Sequence, residues 1–568
     1  MSNTARRTSV TYPNGRVVNL GYGATGSTDD LFSLVKSATI SGESGNKVEY
    51  TRAGLGRYVK ITYPQPGVEM SVIRPGGGSE GDSGDPYDGY DRFSRVQEMR
   101  WQSSSTGTPI DAWQWGFNEA SNRTWKKNLV AASGQDEAYA YDGLYQVKRD
   151  AVGTLNTNRT AIGGIPGEEE DFTYDPTGNW LGYRKEANGS VVLDQCRSSN
   201  QDNQLTQIDG SSALLSYDRA GNATKTAPGA NGDWSKNYQP VWDAWNRLVE
   251  IKDETGVSLE KNTYDGLSRR ITKESGSTVT HTYWSDRWKP LEERIGSATT
   301  AARSYLWGER PGHRDELVLR DRDTDGNGTL DERLYATMDY FNGTAVMNTS
   351  GTVLERYAYS AFGVRRIMAV DFSPRSTSSY AWDFGFQGQF RDAETGWYNY
   401  GYRFYVPMIG RWINRDPILE LLIHSETFYK NISESMFSEV RHDSLRSTLK
   451  ADEIDPAISD AVRINDLDMY LFSHNCGINF VDLLGLLPTK SGSMGCCTCQ
   501  GTAPAPKSEC TEKQIGTTIP RVGTGRCVQK PGKKATNCET QTCRIKTDYT
   551  CDRSTVRGSN GAVRIILR

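Results

Sequence analysis

The chain has 568 residues with a net charge of −4 at neutral pH, and it contains 57 glycines and 10 cysteines. This length is too great for one ordinary core and predicts several domains or one large repetitive structure. No apolar run reaches the roughly 18 residues that cross a bilayer, so the sequence carries no transmembrane signal. Frequent Gly together with Tyr, Trp and Thr favours many short strands and turns over helices.

The N-terminus, residues 1–7, lacks an apolar signal segment. This predicts either another export route or a chain that is the C-terminal part of something longer. The second alternative fits residues 11–16, Thr-Tyr-Pro-Asn-Gly-Arg, which look like the middle of a repeat.

An irregular repeat of two forms runs through the first half of the chain. Both forms place an Asp directly after an aromatic residue. The first reads aromatic-Asp-x-aromatic or Leu-x-Arg and occurs at residues 90–95, 242–247 and 264–269, with a partial copy at 141–144. The second reads Tyr-Asp-x-x-Gly-Asn and occurs at residues 174–179 and 217–222.

Each repeat has the chemistry of a hairpin turn. Asp bonds the following backbone to start the turn, and Gly or Asn tolerates the positive φ that finishes it. We expect the aromatic residue on the buried face and the Arg on the solvent face. The repeats therefore predict a long antiparallel sheet, with a generic β-propeller or sandwich as the alternative.

An acidic segment follows that fits the calcium-loop pattern D-x-D-x-D-G-x5-E without a mismatch. Calcium takes six to eight oxygen ligands, and this loop offers carboxylates, a backbone carbonyl and a hydroxyl. The predicted ligands are Asp321, Asp323, Asp325, Asn327, Thr329 and Glu332. The flanking residues read as strands, so a bound Ca²⁺ is expected to rigidify the sheet. The alternative is an Asp-rich hairpin turn without an ion.

Residues 382–417 alternate aromatic and polar residues in short runs that Gly or Pro punctuates, which is typical of short strands and tight turns. They contain Phe-Gln-Gly-Gln-Phe-Arg-Asp from Phe386, Thr-Gly-Trp-Tyr from Thr395 and Gly-Arg-Trp from Gly410. In this order the motifs resemble the RHS-repeat-associated core domain of RHS or YD-repeat proteins. The resemblance implies a mainly β fold in which antiparallel hairpins wind into a spiral β-shell.

The resemblance also divides the chain into segments. Residues 1–310 are expected to form the repeat β-shell and residues 311–417 the core with its calcium-loop-like hairpin. Residues 418–467 contain no Gly and have apolar residues at helical spacing, which predicts a short helical insertion. Residues 468–487 resume the family pattern as the end of the core, and residues 488–568 form a C-terminal module outside the match.

Many relatives in this family cleave themselves after the final Gly-Leu with paired aspartates and an adjacent Arg. The chemistry needs two close carboxyls, one ionised and one protonated. The resemblance maps Arg415 and Asp416 onto this site, with Asp468 as the candidate second carboxyl and cleavage after Leu486. Asp482 is a further candidate. The alternative is a structural ion pair of Arg415 and Asp416 at a turn.

The tail, residues 488–568, is basic and rich in cysteine, with 14 Lys and Arg against 5 Asp and Glu. Eight of the ten cysteines lie there, which predicts a small disulfide-rich module and an oxidising destination. Four thiolates could instead hold zinc through Cys496, Cys497, Cys499 and Cys510. The tail has no His, the commonest general base, and its charges are too dispersed to define a nucleic-acid patch.

These observations favour an RHS-type shell that encloses or displays a variable C-terminal module, in bacterial competition or at the cell surface. Two alternatives remain: an aspartyl self-protease that releases a toxic tail, and a structural adhesin or wall-associated protein. The family implies a secreted or surface location, an unidentified target cell or surface, and an immunity protein as a partner.

Overall fold

The computed structural model describes residues 6–55, 57–72, 89–309 and 316–417, together with the backbone of three tail strands. The regular secondary structure of the described chain is nearly all β-strand, so the predicted mainly β fold class is confirmed. Its hairpins add in chain order into long antiparallel sheets that do not close within the described residues. The predicted helical insertion, Asp468 and Leu486 lie outside the described residues.

The first large sheet contains fifteen strands, each paired with its neighbours in the sequence. The strands are β1 (Ser9–Thr11), β2 (Val17–Gly21), β3 (Ser37–Ile40), β4 (Val48–Ala53), β5 (Arg57–Tyr63), β6 (Val68–Ser71), β7 (Glu98–Ser103), β8 (Pro109–Phe117), β9 (Arg123–Asn128), β10 (Asp136–Tyr141), β11 (Val147–Gly153), β12 (Glu168–Tyr174), β13 (Trp180–Ala187), β14 (Ser190–Ser199) and β15 (Leu205–Ile208).

A small hairpin leads from the first sheet to a second large sheet of thirteen strands, β18 to β30. The hairpin and this sheet comprise β16 (Ser216–Tyr217), β17 (Ala223–Lys225), β18 (Gln239–Trp242), β19 (Leu248–Lys252), β20 (Ser258–Tyr264), β21 (Arg270–Ser275), β22 (Thr278–Trp284), β23 (Pro290–Ile295), β24 (Arg303–Trp307), β25 (Leu317–Arg322), β26 (Glu332–Met338), β27 (Gly343–Met347), β28 (Val353–Tyr359), β29 (Arg365–Met368) and β30 (Pro374–Arg375).

Two smaller sheets complete the described structure. One comprises β31 (Phe390–Arg391), β32 (Tyr398–Asn399), β33 (Phe404–Val406) and β34 (Arg411–Trp412); the other comprises the tail strands β35 (Cys497–Gln500), β36 (Thr518–Gln529) and β37 (Thr542–Thr550). Helical structure in the described residues is limited to α1 (Thr28–Leu31) and 3-10 turns at Ala230–Gly232 and Phe386–Gly388. None of the described helices has the length and apolarity to span a bilayer.

The repeats form the predicted hairpin turns. Asp243 accepts hydrogen bonds through Oδ1 from the backbone N–H of Trp245 at 2.9 Å and of Arg247 at 3.0 Å. In the Gly-Asn form the positive φ falls on the expected residue, Gly178. In the Arg form it falls one residue before the Arg, at Asn246 and at Ser268, so the Gly two residues before Ser268 does not supply it.

The repeat arginines, expected on the solvent face, are only partly exposed. Arg247 donates from Nε to Asp243 at 2.7 Å and from Nη1 to the backbone carbonyl of Asp265 in the next turn at 3.2 Å. Arg269 repeats the second contact with the carbonyl of Ser285 at 3.0 Å. A guanidinium has donors enough for both bonds, so each Arg fastens its own turn to the next one along the sheet.

Aromatic residues fill the space between the two large sheets. Tyr12 donates its hydroxyl to the carbonyl of Tyr305 at 2.7 Å, and Trp101 donates Nε1 to the carbonyl of Met338 at 2.7 Å. Ala361, beyond β28, donates its N–H to Asp150 on β11 at 2.8 Å. Buried polar atoms of large rings need such partners, so these bonds fix how the sheets pack.

Candidate functional site

The segment 382–417 contacts both large sheets, and Arg411 near its end contacts the first. Arg411 on β34 donates to the side chain of Asn179 and to the carbonyl of Asn203, which belong to two turns of the first sheet. Gly410 approaches Trp180 so closely that an added Cβ would lie 2.1 Å from its ring. Close packing against the first large sheet thus requires a Gly at position 410, and the bonds of Arg411 fasten the segment there.

Asp416, one of the predicted processing residues, is fully buried. Its Oδ2 lies 3.0 Å from Nη2 of Arg403, which is 1% exposed and stacks 4.2 Å above the ring of Trp412. The structure therefore pairs Asp416 with Arg403. The pair ties the end of the described core to the loop before β33.

Arg415 lines a pocket of about 340 Å³ beside this ion pair. Five aromatic residues from the repeat turns and from the core contribute to the pocket wall: Trp242, Trp245, Tyr264, Tyr402 and Phe404. Asp468 and Leu486 lie outside the described residues, so the structure does not bring the predicted carboxyl pair or the cleavage point together. Self-cleavage stays a prediction.

The predicted calcium loop connects β25 and β26, as its strand-like flanks indicated. Its first acidic residue, Asp321, is buried on β25 and forms ion pairs with Arg16 and Arg333. Its last, Glu332, begins β26 and lies 2.9 Å from Nη2 of Arg320 and from Nε of Arg322. Both carboxylates are thus neutralised by arginines.

The central residues of the loop are held by the loop itself. Asp323 accepts the N–H groups of Gly326 and Gly328 at 2.7 Å each, and these bonds hold the pKa of Asp323 below its usual value against the opposing effect of burial. Asn327 receives the N–H of Thr329 at 2.8 Å and donates to Asp325 at 3.0 Å. The six predicted ligands thus bond arginine side chains, the loop backbone and one another.

Calcium binding stays a prediction. It requires Asp321 and Glu332 to release their arginine partners and to coordinate the ion instead. Ca²⁺ added to chelator-treated protein at about a hundredfold over its Kd should add roughly 2.7 kcal/mol of stability. A thermal melt with and without Ca²⁺ measures this, with Asp325→Asn expected to remove the increase. An identical melting temperature in both conditions would show that the arginine ion pairs, and not Ca²⁺, stabilise the loop.

A buried cluster of charged side chains joins the core to the second large sheet. Arg270 on β21 forms a bidentate pair with Asp392, at 2.9 and 2.8 Å, and also bonds Glu260 on β20 at 2.9 Å. Lys273 lies 3.1 Å from Asp392 and 2.5 Å from Glu394. Glu260 and Asp392 are fully or almost fully buried, so these contacts are shielded from solvent.

The cluster separates the proton affinities of its two buried carboxyls. Burial and the neighbouring Asp392 raise the pKa of Glu260 to about 7, although Arg270 and Lys273 act against this. Burial also disfavours ionised Asp392, but Arg270 and Lys273 outweigh that effect and hold the pKa of Asp392 below its usual value. One carboxyl is thus tuned to hold a proton near neutral pH while its neighbour stays ionised.

Glu260 should make the fold less stable as the pH rises from about 5 to 7, because the folded state holds a proton that the unfolded state releases near its ordinary pKa. The slope from one such group is at most about 1.4 kcal/mol per pH unit. Thermal midpoints of Glu260→Gln across this range should show a smaller slope than wild type. Glu274→Gln, on the same hairpin but with its side chain 45% exposed, is the control that should keep the wild-type slope.

Antiparallel hairpins that add in sequence order into two long open sheets, with a Trp- and Tyr-rich core between them, give the described residues a β-shell architecture. No established protein-family profile matches the chain. Its relatives are toxin proteins. It is 23% identical over 355 residues to toxin subunit YenC2 of Yersinia entomophaga, covering 57% of this chain and 35% of that protein.

Two further comparisons also match toxin proteins. Over 348 residues the chain is 24% identical to double-stranded DNA deaminase toxin A of Burkholderia cenocepacia, covering 53% of this chain and 22% of that protein. The Photorhabdus luminescens Tc holotoxin pore shares the fold with a TM-score of 0.57 at 15% identity, covering 86% of this chain and 21% of that one. The relatives that match are thus toxin proteins, and the chain spans about a third or less of the length of each of these proteins.

Proposed function

We propose that the chain is a scaffold: an RHS-type β-shell that encloses or displays its variable C-terminal module, in bacterial competition or at the cell surface. The observation that carries this proposal is the anchoring of segment 382–417. Arg411 fastens it to the first large sheet, and Asp392 fastens it to the second through Arg270. The chain thus leaves a firmly held core at Pro417 before it continues towards the tail.

The relatives support a cargo role for the tail. One carries the name of a DNA deaminase toxin and another that of a toxin subunit, although both match this chain at low identity. A shared shell with different activities is expected when the shell carries and the C-terminal module acts. By this proposal the protein is secreted or displayed, and an immunity protein protects the producing cell.

Toxicity of the tail tests the cargo role. Residues 488–568 produced alone in the cytoplasm of a bacterial host, and separately directed to its periplasm, should stop growth in at least one compartment. The full chain and residues 1–417 should be tolerated. Growth arrest by residues 1–417 would contradict the proposal, and a harmless tail in both compartments would favour the structural adhesin.

The second candidate function is self-processing, in which the buried Asp416 would be one of the two carboxyls. The scaffold proposal expects one chain of 63.2 kDa in the intact mass spectrum of purified protein. Two fragments that meet between Leu486 and Leu487, and one chain in the Asp416→Asn variant, would instead identify a self-cleaving carrier.

A further inference from the structure

A second pocket, of about 370 Å³, lies where the first strands of the first large sheet meet the second large sheet. Its wall comes from the residues before β1, from β2, β4 and β5, from the turn between β22 and β23, and from the residues after β24. None of its described lining residues belongs to the pocket beside Arg415. Its volume is within the roughly 300–1,000 Å³ of pockets that hold small molecules.

Four arginines from three separate segments line this second pocket: Arg6, Arg7, Arg52 and Arg287. The side chain of Arg52 is almost fully buried and bonds Asp29, the carbonyl of Val35 and the hydroxyl of Tyr58. Arg52 therefore belongs to the structure of the wall. The other three arginines have donors to spare.

The spare donors follow from the count of hydrogen bonds at each guanidinium, which has five N–H donors. Arg6 uses two of its donors on Asp30. Arg7 gives one to Asp286, and Arg287 gives one to Glu309 at 2.6 Å. The side chains of Arg7 and Arg287 are 33% and 54% exposed, so a ligand in the pocket can reach their remaining donors.

The acidic partners of these arginines lie mostly outside the pocket wall. Asp30 and Asp286 are not among the lining residues, and Glu309 is the one carboxylate among the described residues that line the pocket. The aspartates thus orient the guanidiniums without occupying the pocket. The wall as a whole offers hydrogen-bond donors to an anion.

The rest of the wall is largely apolar. Leu20, Tyr22, Leu34 and Val35 line it beside the arginines. The guanidinium of Arg6 lies 4.2 Å from the centre of the Tyr22 ring, and the Tyr22 hydroxyl donates to the carbonyl of Arg7. Because that hydroxyl is already bonded, Tyr22 offers a ligand mainly its ring. Charged donors beside an apolar surface suit an anion that has an organic body.

We propose that this pocket binds a small organic phosphate. The phosphate oxygens accept hydrogen bonds from Arg6, Arg7 and Arg287, and the organic body packs against the apolar part of the wall. A phosphate monoester has three acceptor oxygens and a charge near −2, so it can engage donors from all three arginines. A carboxylate has two oxygens and one charge and engages fewer of them.

Isothermal titration of the full chain with phenyl phosphate tests the proposal. Inorganic phosphate is the comparison that lacks the organic body, and benzoate is the comparison that keeps the ring but carries a carboxylate. Phenyl phosphate should bind in a one-to-one ratio. Its affinity should exceed that of either comparison by about tenfold, the effect of one lost hydrogen bond to a charged group.

Single variants place the ligand in this pocket. Arg287→Ala and Arg7→Ala should each weaken the binding of phenyl phosphate by about tenfold. Glu309→Gln should strengthen it, because this change removes a negative charge from the wall and releases Arg287. Arg149→Ala is the matched control, because Arg149 is 49% exposed and paired with Asp171 but lies outside this pocket. Its binding should equal that of wild type.

Four results would overturn the proposal. These are no binding heat from phenyl phosphate at millimolar concentrations, equal affinity for benzoate, weaker binding in Glu309→Gln, and an equal loss in Arg149→Ala and Arg287→Ala. The three ligands compared on wild-type protein decide the matter if a variant fails to fold. Because the readout is binding by the shell, the result is independent of whether the tail is toxic.

Discussion

Replacing Asp392 with alanine is expected to lower the free energy of unfolding by about 3–5 kcal/mol, because it leaves the buried guanidinium of Arg270 without its bidentate partner. Lys273 loses a contact at the same time. Glu260 then faces both cations, which should lower its pKa, since the Asp392 charge that raises it is gone. Urea unfolding followed by Trp fluorescence measures the loss of stability.

Glu394→Gln is the matched control for this cluster. Glu394 contacts Lys273 alone among the cluster's cations, and its side chain is 20% exposed, so water can replace it. The expected loss is about 1 kcal/mol or less. Equal losses in Asp392→Ala and Glu394→Gln would show that the Arg270 pair does not hold the core to the second sheet.

The parts of the fold that are visible in the sequence are those specified by neighbouring residues. In the Arg-form repeats the Asp bonds the backbone two and four residues on, so the turn at Asp243 follows from six consecutive residues. Strand-like flanks likewise predict β25 and β26. The left-handed position at Ser268 was missed, because Gly two residues earlier is the usual carrier of positive φ.

Local sequence patterns do not predict contacts between segments that are distant in the chain. Arg270 and Asp392 are 122 residues apart, and no sequence pattern near either residue predicts that the two form a pair. The acidic loop shows the same limit, since its pattern fits calcium while Asp321 is paired with Arg16, 305 residues away. A usable signal did exist for the cluster: Glu260, Asn262 and Tyr264 alternate on one face of β20 and require buried polar partners.

The sequence placed Asp416 at an important position, yet it could not separate a catalytic from a structural role. The structure supplies a structural role through the buried pair with Arg403. If an Asp416→Asn variant stops processing, there would therefore be two explanations: the loss of a catalytic carboxyl or the destabilisation of the core. Stability has to be measured together with processing.

Asp416→Asn is expected to lower the free energy of unfolding by about 3–5 kcal/mol, because Arg403 keeps its charge in a site that is 1% exposed. Asp371→Asn, an exposed Asp that bonds Ser373, should cost less than about 1 kcal/mol and serves as the control. Urea unfolding of purified variants gives both values.

The double variant Arg403→Met with Asp416→Leu tests whether the loss comes from the unpaired charge. Replacing both members of a buried ion pair by apolar side chains is often close to neutral, so most of the lost stability should return. If Asp416→Asn instead unfolds at the wild-type urea concentration while an observed cleavage at Leu486 disappears, then the pair with Arg403 contributes little to folding. Asp416 would in that case act in the cleavage chemistry, and the scaffold would be a self-processing one.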